Sequence, residues 1–245
     1  MKVEPSIQAQ LLELAKIDTE LTRIAHRRKS LPEQQEVDRL ETEKTARKDA
    51  AVAVEIAMDD LDRDIRKLET EVDGVRKREQ RDRAMLAAGT VGAKQLTELQ
   101  HELDTLIRRQ QVLEDELLEV MERREAAEAD HQHAGAQLSR AEDELIDAAR
   151  RRDDAMADLN VAEQRCNADR SAVLDQLPTE LVADYDRRRS RSGIGAALLQ
   201  ARRCGGCRIE LDRGAIAEIA HAAPELVVHC PECGTILVRT KESGL

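Results

Sequence analysis

The sequence predicts a mostly α protein, in which a long antiparallel coiled-coil hairpin precedes a small C-terminal β domain. Two long runs of apolar residues keep the 3-4 heptad spacing of a coiled coil, and a segment with two glycines separates them. Near the end of the chain, two Cys-x-x-Cys pairs stand twenty-two residues apart, a spacing typical of a zinc site.

The composition agrees with long helices better than with one compact globule. Of 245 residues, 36% are charged, and the aromatic residues amount to one tyrosine. Long helices suit this composition because they bury a narrow stripe and leave the rest in water. The N-terminal residues contain no apolar signal core and no run approaches membrane-spanning length, so we expect a cytoplasmic protein that contacts no membrane.

The heptads define the hairpin. The first run extends from Val37 to Val75 and the second from Leu96 to Val173, with a tip predicted near residues 87–93. Because the two arms match in length, we expect residues 1–176 to form an intramolecular hairpin. The alternative is a hairpin opened into a dimer between two chains, so a monomer or a weak homodimer is expected.

A separate first helix is predicted before the hairpin arms. Its own seam runs from Ile7 to Leu31, and the register then slips by two residues. Pro32 cannot donate a helical hydrogen bond, and Ser30 with Glu33 resembles a capping box. We therefore expect a break near residues 30–32.

Polar residues at seam positions are interpreted as fixing the register or extending to solvent, with partner binding as the alternative. They are Lys44, Arg47, Gln110, Arg124, His131, Arg152 and Asp169. Cys166 also falls on the seam and is interpreted as a small buried apolar residue, not as a fifth metal ligand.

Two basic clusters are candidate contacts for phosphate or for an acidic partner, although solvated or ion-paired arginines would look the same. The first belongs to an Arg-rich connector, predicted at residues 177–199, and continues into the following domain. Its members are Arg187, Arg188, Arg189, Arg191, Arg202 and Arg203. The second surrounds the tip and comprises Arg76, Lys77, Arg78, Arg81, Arg83 and Lys94.

The cysteine pairs predict a zinc-ribbon domain at residues 200–245. Four thiolates fill the tetrahedron that Zn²⁺ prefers, so we expect one structural zinc ion per chain. The ligands are Cys204, Cys207, Cys230 and Cys233. Short strands should carry the two pairs, with a helical turn capped by Asp212 between them. His229 adjoins Cys230 and is an alternative ligand, although four cysteines are sufficient.

With hairpin and ribbon in this order, the chain resembles a bacterial family of coiled-coil hairpin proteins with a C-terminal four-cysteine (C4-type) zinc ribbon. The resemblance rests on the tip sequence 93–103, on Leu177-Pro178 with Tyr185, and on the two cysteine pairs through Leu237. Other members commonly carry Arg where this chain has Thr235. Family members are described as nucleic-acid-binding proteins, or as partners of a sigma factor and of flagellar or secretion machinery, so the resemblance implies an adaptor.

The sequence therefore favours a non-enzymatic adaptor that binds a protein client. Nucleic-acid binding through the ribbon and the connector is the alternative, although the chain is acidic, with a net charge of −11, and lacks stacking aromatics. A redox-sensitive zinc switch is a third reading. The sequence contains no glycine-rich loop of the kind that cradles phosphate, so this feature of an enzyme is missing. We expect a protein without enzymatic activity and without a small-molecule substrate.

Overall fold

The computed structural model describes residues 1–89 and 92–245, which form two compact units. One unit combines Met1–Gln34 with Arg151–Leu245, and the other is Gln35–Arg150. The helices are α1 (Pro5–Lys29), α2 (Pro32–Ala87), α3 (Ala93–Leu174), α4 (Thr179–Ser192) and α5 (Arg213–His221). The strands are β1 (Ala196–Gln200), β2 (Arg203–Cys204), β3 (Val228–His229) and β4 (Ile236–Val238). Within the described ranges, no helix is both long and apolar enough to cross a membrane.

The chain breaks between α1 and α2 where the heptad register slips. The α1 helix ends at Lys29, and Pro32 is the first residue of α2, where its missing N–H has no cost. The predicted capping box is wrong: the Ser30 hydroxyl donates to the His26 carbonyl (3.0 Å) and so belongs to the end of α1. Leu31 is buried in a cluster with Ile24 and Leu159, which holds the break in place.

The unit of residues 35–150 contains a helical hairpin with a coiled-coil seam. Val37 and Leu40 of α2 pack against Ala148 of α3. Polar seam positions make cross-arm contacts, since Lys44 pairs with Glu142 (3.6 Å), Arg47 with Gln137 (2.7 Å) and Arg124 with Asp62 (3.2 Å). These pairs support the interpretation that polar seam residues fix the register. At the predicted tip, Gly89 adopts φ +64°, whereas Thr90 and Val91 lie outside the described residues.

Two carboxylates occupy the seam of α2 close to the tip. Glu79 and Asp82 continue the heptad of Val72 and Val75, and both are buried. Glu79 pairs with Arg83 (2.5 Å), but Oδ2 of Asp82 has no hydrogen-bond partner among the described residues. A buried oxygen without a partner loses its hydration and gains nothing in return, so this position destabilises the hairpin.

Asp82→Leu should therefore raise the free energy of unfolding by about 1–3 kcal/mol, because leucine fills a seam position and removes the unpaired oxygen. Urea unfolding followed by circular dichroism measures the change. The control is Asp73→Leu, because Asp73 is exposed and pairs with Lys77 on the solvated face. A stability at or below that of the unmodified chain would contradict this explanation.

In the other unit, α1 packs one apolar face, that of Ile7, Leu11 and Leu14, into a single core. Leu11 and Leu14 join Leu181 and Tyr185 of α4 and Ile236 of β4 in one core cluster. Ile7 of α1 packs beside this cluster, together with Val173 and Leu174 of α3. The first helix therefore connects the end of the long arm with the C-terminal domain.

The C-terminal domain is a four-stranded sheet with the order β2-β1-β4-β3. The pairings β1–β2 and β3–β4 are antiparallel, and β1 runs parallel to β4 with Ala196 opposite Ile236. The N-terminal residues add to the sheet edge, since Lys2 pairs with Leu226 and the Val3 N–H donates to the Glu225 carbonyl (2.6 Å). The sheet brings the two cysteine pairs to one end.

Candidate zinc centre

The four predicted cysteines meet at one point. The Sγ atoms of Cys204, Cys207, Cys230 and Cys233 all lie within 4.8 Å of one another. The Cys204–Cys233 and Cys207–Cys230 sulfur distances are 3.8 and 3.9 Å. With Zn–S bonds of about 2.3 Å, sulfurs in a tetrahedron stand roughly 3.8 Å apart, so the arrangement fits zinc.

Each pair is held by a tight backbone turn. In the first turn, the Gly206 N–H points to Cys204 Sγ (3.3 Å), and the Arg208 N–H donates to the Cys204 carbonyl (2.8 Å). In the second, the Gly234 N–H donates to the Cys230 carbonyl (2.9 Å). Gly234 adopts φ +76°, a conformation that glycine accepts without a Cβ clash. The sulfurs are thus positioned by backbone geometry.

The protonation of the thiols depends on their surroundings. Burial raises the pKa of Cys204 to about 12 and also raises the pKa of Cys230. Burial acts in the same direction on Cys233, but hydrogen bonds with Thr235 outweigh it and lower that pKa to about 7. Zinc requires all four groups as thiolates, so binding displaces the protons of the buried pair. Four protein ligands leave no open position, which is the arrangement of a structural site.

The comparisons with known proteins agree with both parts of this architecture. The model of the CT398-like coiled coil hairpin domain matches residues 14–193, and that of the C4-type zinc ribbon domain matches residues 203–237, which contain all four cysteines. The chain belongs to the CT398-like hairpin family. The resemblance inferred from the tip, the connector and the cysteine pairs is thereby confirmed.

Relatives cover nearly the whole chain. A Mycobacterium tuberculosis protein is 46% identical over 239 residues, which span 98% of each chain. A solved structure from Mycobacterium smegmatis is 48% identical, with a TM-score of 0.86 over 98% of this chain and 100% of that one. CT398 from Chlamydia trachomatis is 18% identical, with a TM-score of 0.70 over 96% of this chain and 98% of that one, a likeness of fold alone. The similarity to these proteins therefore extends over nearly the full length of this chain.

Between the cysteine pairs, α5 begins as predicted. The Asp212 side chain accepts a hydrogen bond from the Ala215 N–H (2.8 Å) and so caps the helix. A buried apolar cluster beneath it joins Leu211 and Ile219 to Cys204 and Cys230. The helix thus covers the buried side of the metal ligands.

Arg239 holds the loop between α5 and β3, and sequence reasoning missed it. Its guanidinium donates to the backbone carbonyls of Ile219, Ala222, Ala223, Pro224 and Leu226, at 2.7–3.2 Å. The Ala223 carbonyl also accepts from the Leu226 N–H (2.9 Å) and the Pro224 carbonyl from Gln8 Nε2 (3.2 Å), but Arg239 is the donor that all five carbonyls share. The loop's irregular composition, Ala222-Ala223-Pro224, is the only signal in the sequence that a distant donor is needed.

Arg239→Ala is expected to destabilise this loop by about 1.5–3 kcal/mol, because hydrogen bonds from a charged donor contribute about that much. Hydrogen exchange of the amides in residues 222–229 is the measurement, and the control is Arg213→Ala, which removes an exposed arginine of α5. Unchanged protection in the Arg239 variant would show that the loop is held by other contacts.

His229 adjoins Cys230 but has another partner. Its Nε2 donates to Oδ2 of Asp184 in α4 (2.8 Å), and Arg188 Nε donates to the other oxygen (3.2 Å). Burial acts to raise the pKa of Asp184, but these two hydrogen bonds outweigh it and lower that pKa below its usual value. With four sulfurs already in place, His229 acts as a link between the ribbon and α4.

The predicted connector arginines do not form one patch. Arg188 pairs with Asp184, and Arg189 pairs with the buried carboxylate of Asp18 (3.0 Å). Arg187 and Arg191 are exposed and make no ion pair with any described residue. The remaining two belong to the ribbon, where Arg202 donates to the Gly244 carbonyl (3.3 Å) and Arg203 pairs with Glu210 (2.9 Å).

Half of the predicted tip cluster is engaged in ion pairs. Arg76 pairs with Glu114 (2.6 Å), Lys77 with Asp73 (2.6 Å) and Arg83 with Glu79. Arg78, Arg81 and Lys94 make no ion pair within residues 1–89 and 92–245, and all three are exposed. These three are the cations of the cluster that stay available to a partner.

Cys166 lies apart from the metal ligands. It is half-buried and packs against the cluster of Ile24, Leu31 and Leu159. This environment agrees with its interpretation as a small apolar seam residue.

Proposed function

We propose that the protein is a non-enzymatic adaptor that binds protein clients through its hairpin, with the ribbon as a second contact. The coiled coil and the zinc ribbon indicate a structural or binding role. Beyond this general role, we place a protein client on the outer surface of the unit of residues 35–150.

Large apolar side chains on the outside of this unit carry the proposal. A coiled coil with a satisfied seam is expected to be polar outside it, yet this unit exposes apolar residues on both helices. They are Val52, Ile56, Val112, Leu118, Met121 and Ile146. Ile146 is 66% exposed and Leu118 is 58% exposed, and it is the grouping of such residues, not any one of them, that indicates a binding surface.

Part of this apolar surface forms a groove of about 420 Å³. Ile65, Leu118 and Met121 line it, and Glu122, Glu125 and Glu128 supply an acidic edge around Arg124. An apolar strip beside acidic groups fits a helix that presents both apolar and basic side chains. Recognition of this kind needs no chemistry from the protein, and the closed zinc site supplies none.

Site-specific crosslinking in cells tests the proposal. A photoreactive amino acid is placed at Leu118 or at Ile146, and at the exposed Lys67 as a matched control on a polar surface. We expect discrete protein adducts from the two apolar positions and none from Lys67. Adducts only with RNA or DNA, or equal labelling at all three positions, would contradict the adaptor.

Nucleic-acid binding is the second candidate, and the freedom of two connector arginines favours it. Arg187 and Arg191 are exposed near the end of α4, and Ser192 and Arg191 line a cleft against the Pro231–Gly234 loop of the ribbon. Phosphate contacts release counterions, so this candidate requires an affinity that falls steeply with salt. Replacing Arg187 and Arg191 by Ala should then abolish binding, whereas an unchanged affinity would exclude this surface.

A further inference from the structure

One face of α4 is joined to the second cysteine loop of the ribbon. Asp184 lies at the centre of this junction and is 9% exposed. It accepts one hydrogen bond from His229, the residue before Cys230, and one from Arg188, one turn further along α4. Both oxygens of the carboxylate are thereby used, so Asp184 fixes the position of Arg188.

From this position, the end of the Arg188 side chain reaches the loop that carries Cys233. A Cβ placed on Gly234 would lie 3.1 Å from Nη1 of Arg188, so the guanidinium stands directly against this residue. Arg188 and Cys233 also line the same cleft, with a volume of about 320 Å³. Glycine at position 234 therefore has two roles: it permits the positive φ, and it leaves room for the Arg188 side chain.

The negative charge of the zinc-bound site explains why a guanidinium group is placed here. Zn²⁺ with four thiolates carries a net charge of −2, and Cys204 and Cys230 are buried, where water compensates charge poorly. An N–H group points at Cys204 from Gly206 (3.3 Å). On the Cys233 side, the Thr235 hydroxyl lies 3.2 Å from the sulfur, but it donates its single proton to the Ile194 carbonyl and so has none left for a thiolate.

We propose that Arg188, held by Asp184, balances the negative charge of the zinc–thiolate cluster and thereby sets how tightly the ribbon retains zinc. Arg188 binds no metal itself. It acts through the Cys230–Gly234 loop, as residues behind metal ligands commonly do. Zinc retention is thus coupled to α4, an element outside the ribbon.

Arg191 provides a matched control. It lines the same cleft, one turn beyond Arg188, but makes no bond to Asp184. A general effect of positive charge near the ribbon would act through either arginine, whereas the proposal requires Arg188 alone.

The experiment compares Arg188→Met, Arg188→Lys and Arg191→Met in the full chain loaded with zinc. Transfer of zinc to a chromogenic chelator gives the release rate and, at equilibrium, the affinity. Arg188→Met keeps the apolar stem and loses the charge, so we expect an affinity about 10-fold or more below the unmodified chain. Arg188→Lys should retain most of the affinity, and Arg191→Met all of it.

A series of salt concentrations separates charge balance from packing. Screening should lower the zinc affinity of the unmodified chain and of Arg188→Lys, and leave Arg188→Met almost unaffected. Equal affinity in Arg188→Met and the unmodified chain, an equal loss in Arg191→Met, or the same salt slope in every protein would overturn the proposal. Should Arg188→Met fail to fold, Arg188→Gln gives the same comparison while it still donates a hydrogen bond to Asp184.

Discussion

Cys230→Ser is expected to abolish zinc binding and to unfold the ribbon, while the unit of residues 35–150 stays helical. The ribbon core is small, and its buried cluster contains two of the four ligands, Cys204 and Cys230. Structural zinc contributes about 10–16 kcal/mol in small metal domains, more than a core of this size supplies. Loss of one thiolate therefore removes most of the free energy that keeps the ribbon folded.

Metal content and hydrogen exchange measure this outcome. Zinc should fall from one ion per chain to none, and amide protection should disappear in residues 196–240 but persist in residues 35–150. Cys166→Ser is the matched control, because that cysteine packs on the helices and lies outside the metal site. A Cys230→Ser protein that still bound one zinc ion, or a ribbon that stayed protected, would show that the fold does not depend on the four-sulfur site.

Asp18→Ala should destabilise the unit of α1, α4 and the ribbon by about 3–5 kcal/mol, the usual cost of removing one member of a buried ion pair. Asp18 is 4% exposed and accepts three contacts, from Arg170 (2.8 Å), Arg189 (3.0 Å) and the Tyr185 hydroxyl (2.8 Å). Burial and the bond to Asp18 raise the pKa of Tyr185 above its usual value, so the hydroxyl remains a donor. Without the carboxylate, this buried donor and two guanidinium groups lose their shared acceptor.

Thermal and urea unfolding, together with hydrogen exchange of the α4 amides, measure how much Asp18→Ala lowers the free energy of unfolding of this unit. Asp186→Ala is the control, because Asp186 is exposed and contacts only the Arg170 side of the same cluster, at 3.3 Å. We expect less than about 1 kcal/mol for that variant, as for other exposed pairs. Comparable losses in the two variants would mean that net charge, and not the buried acceptor, stabilises the junction.

Periodicity and spacing predicted the parts of the molecule that depend on local repetition. The heptads from Val37 and from Leu96 predicted the two arms, and the two cysteine pairs predicted the zinc centre. In both cases the spacing of the residues is enough to show which of them come together. Asp212 likewise predicted the start of α5, because aspartate is a preferred residue at the N-cap of a helix. These features depend on neighbours a few residues away or on a fixed stoichiometry.

What the sequence did not indicate depends on contacts between distant segments. Asp18 stands beside an apolar seam and looks solvated, until α4 folds back and places Tyr185 and Arg189 against it. Arg189 looked like part of an available basic patch for the same reason, since its acidic partner Asp18 lies far earlier in the chain. The Asp184–Arg188 pair is different, because its members stand four residues apart on α4, a spacing that the sequence already displays. Arg239 is recognised only when the carbonyls of the preceding loop are seen to converge on it.

The pairing of the N-terminal segment with the C-terminal domain has a consequence for synthesis on the ribosome. Val3 hydrogen-bonds Glu225, and the Met1 carbonyl accepts from Val227, so these partners are joined across almost the entire chain. At a rate of about 5–20 residues per second, Glu225 is made on the order of 10–45 s after Val3. During that interval Leu11 and Leu14 have no ribbon to cover them. The nascent chain therefore exposes the apolar face of α1 until the strands of the ribbon have been made.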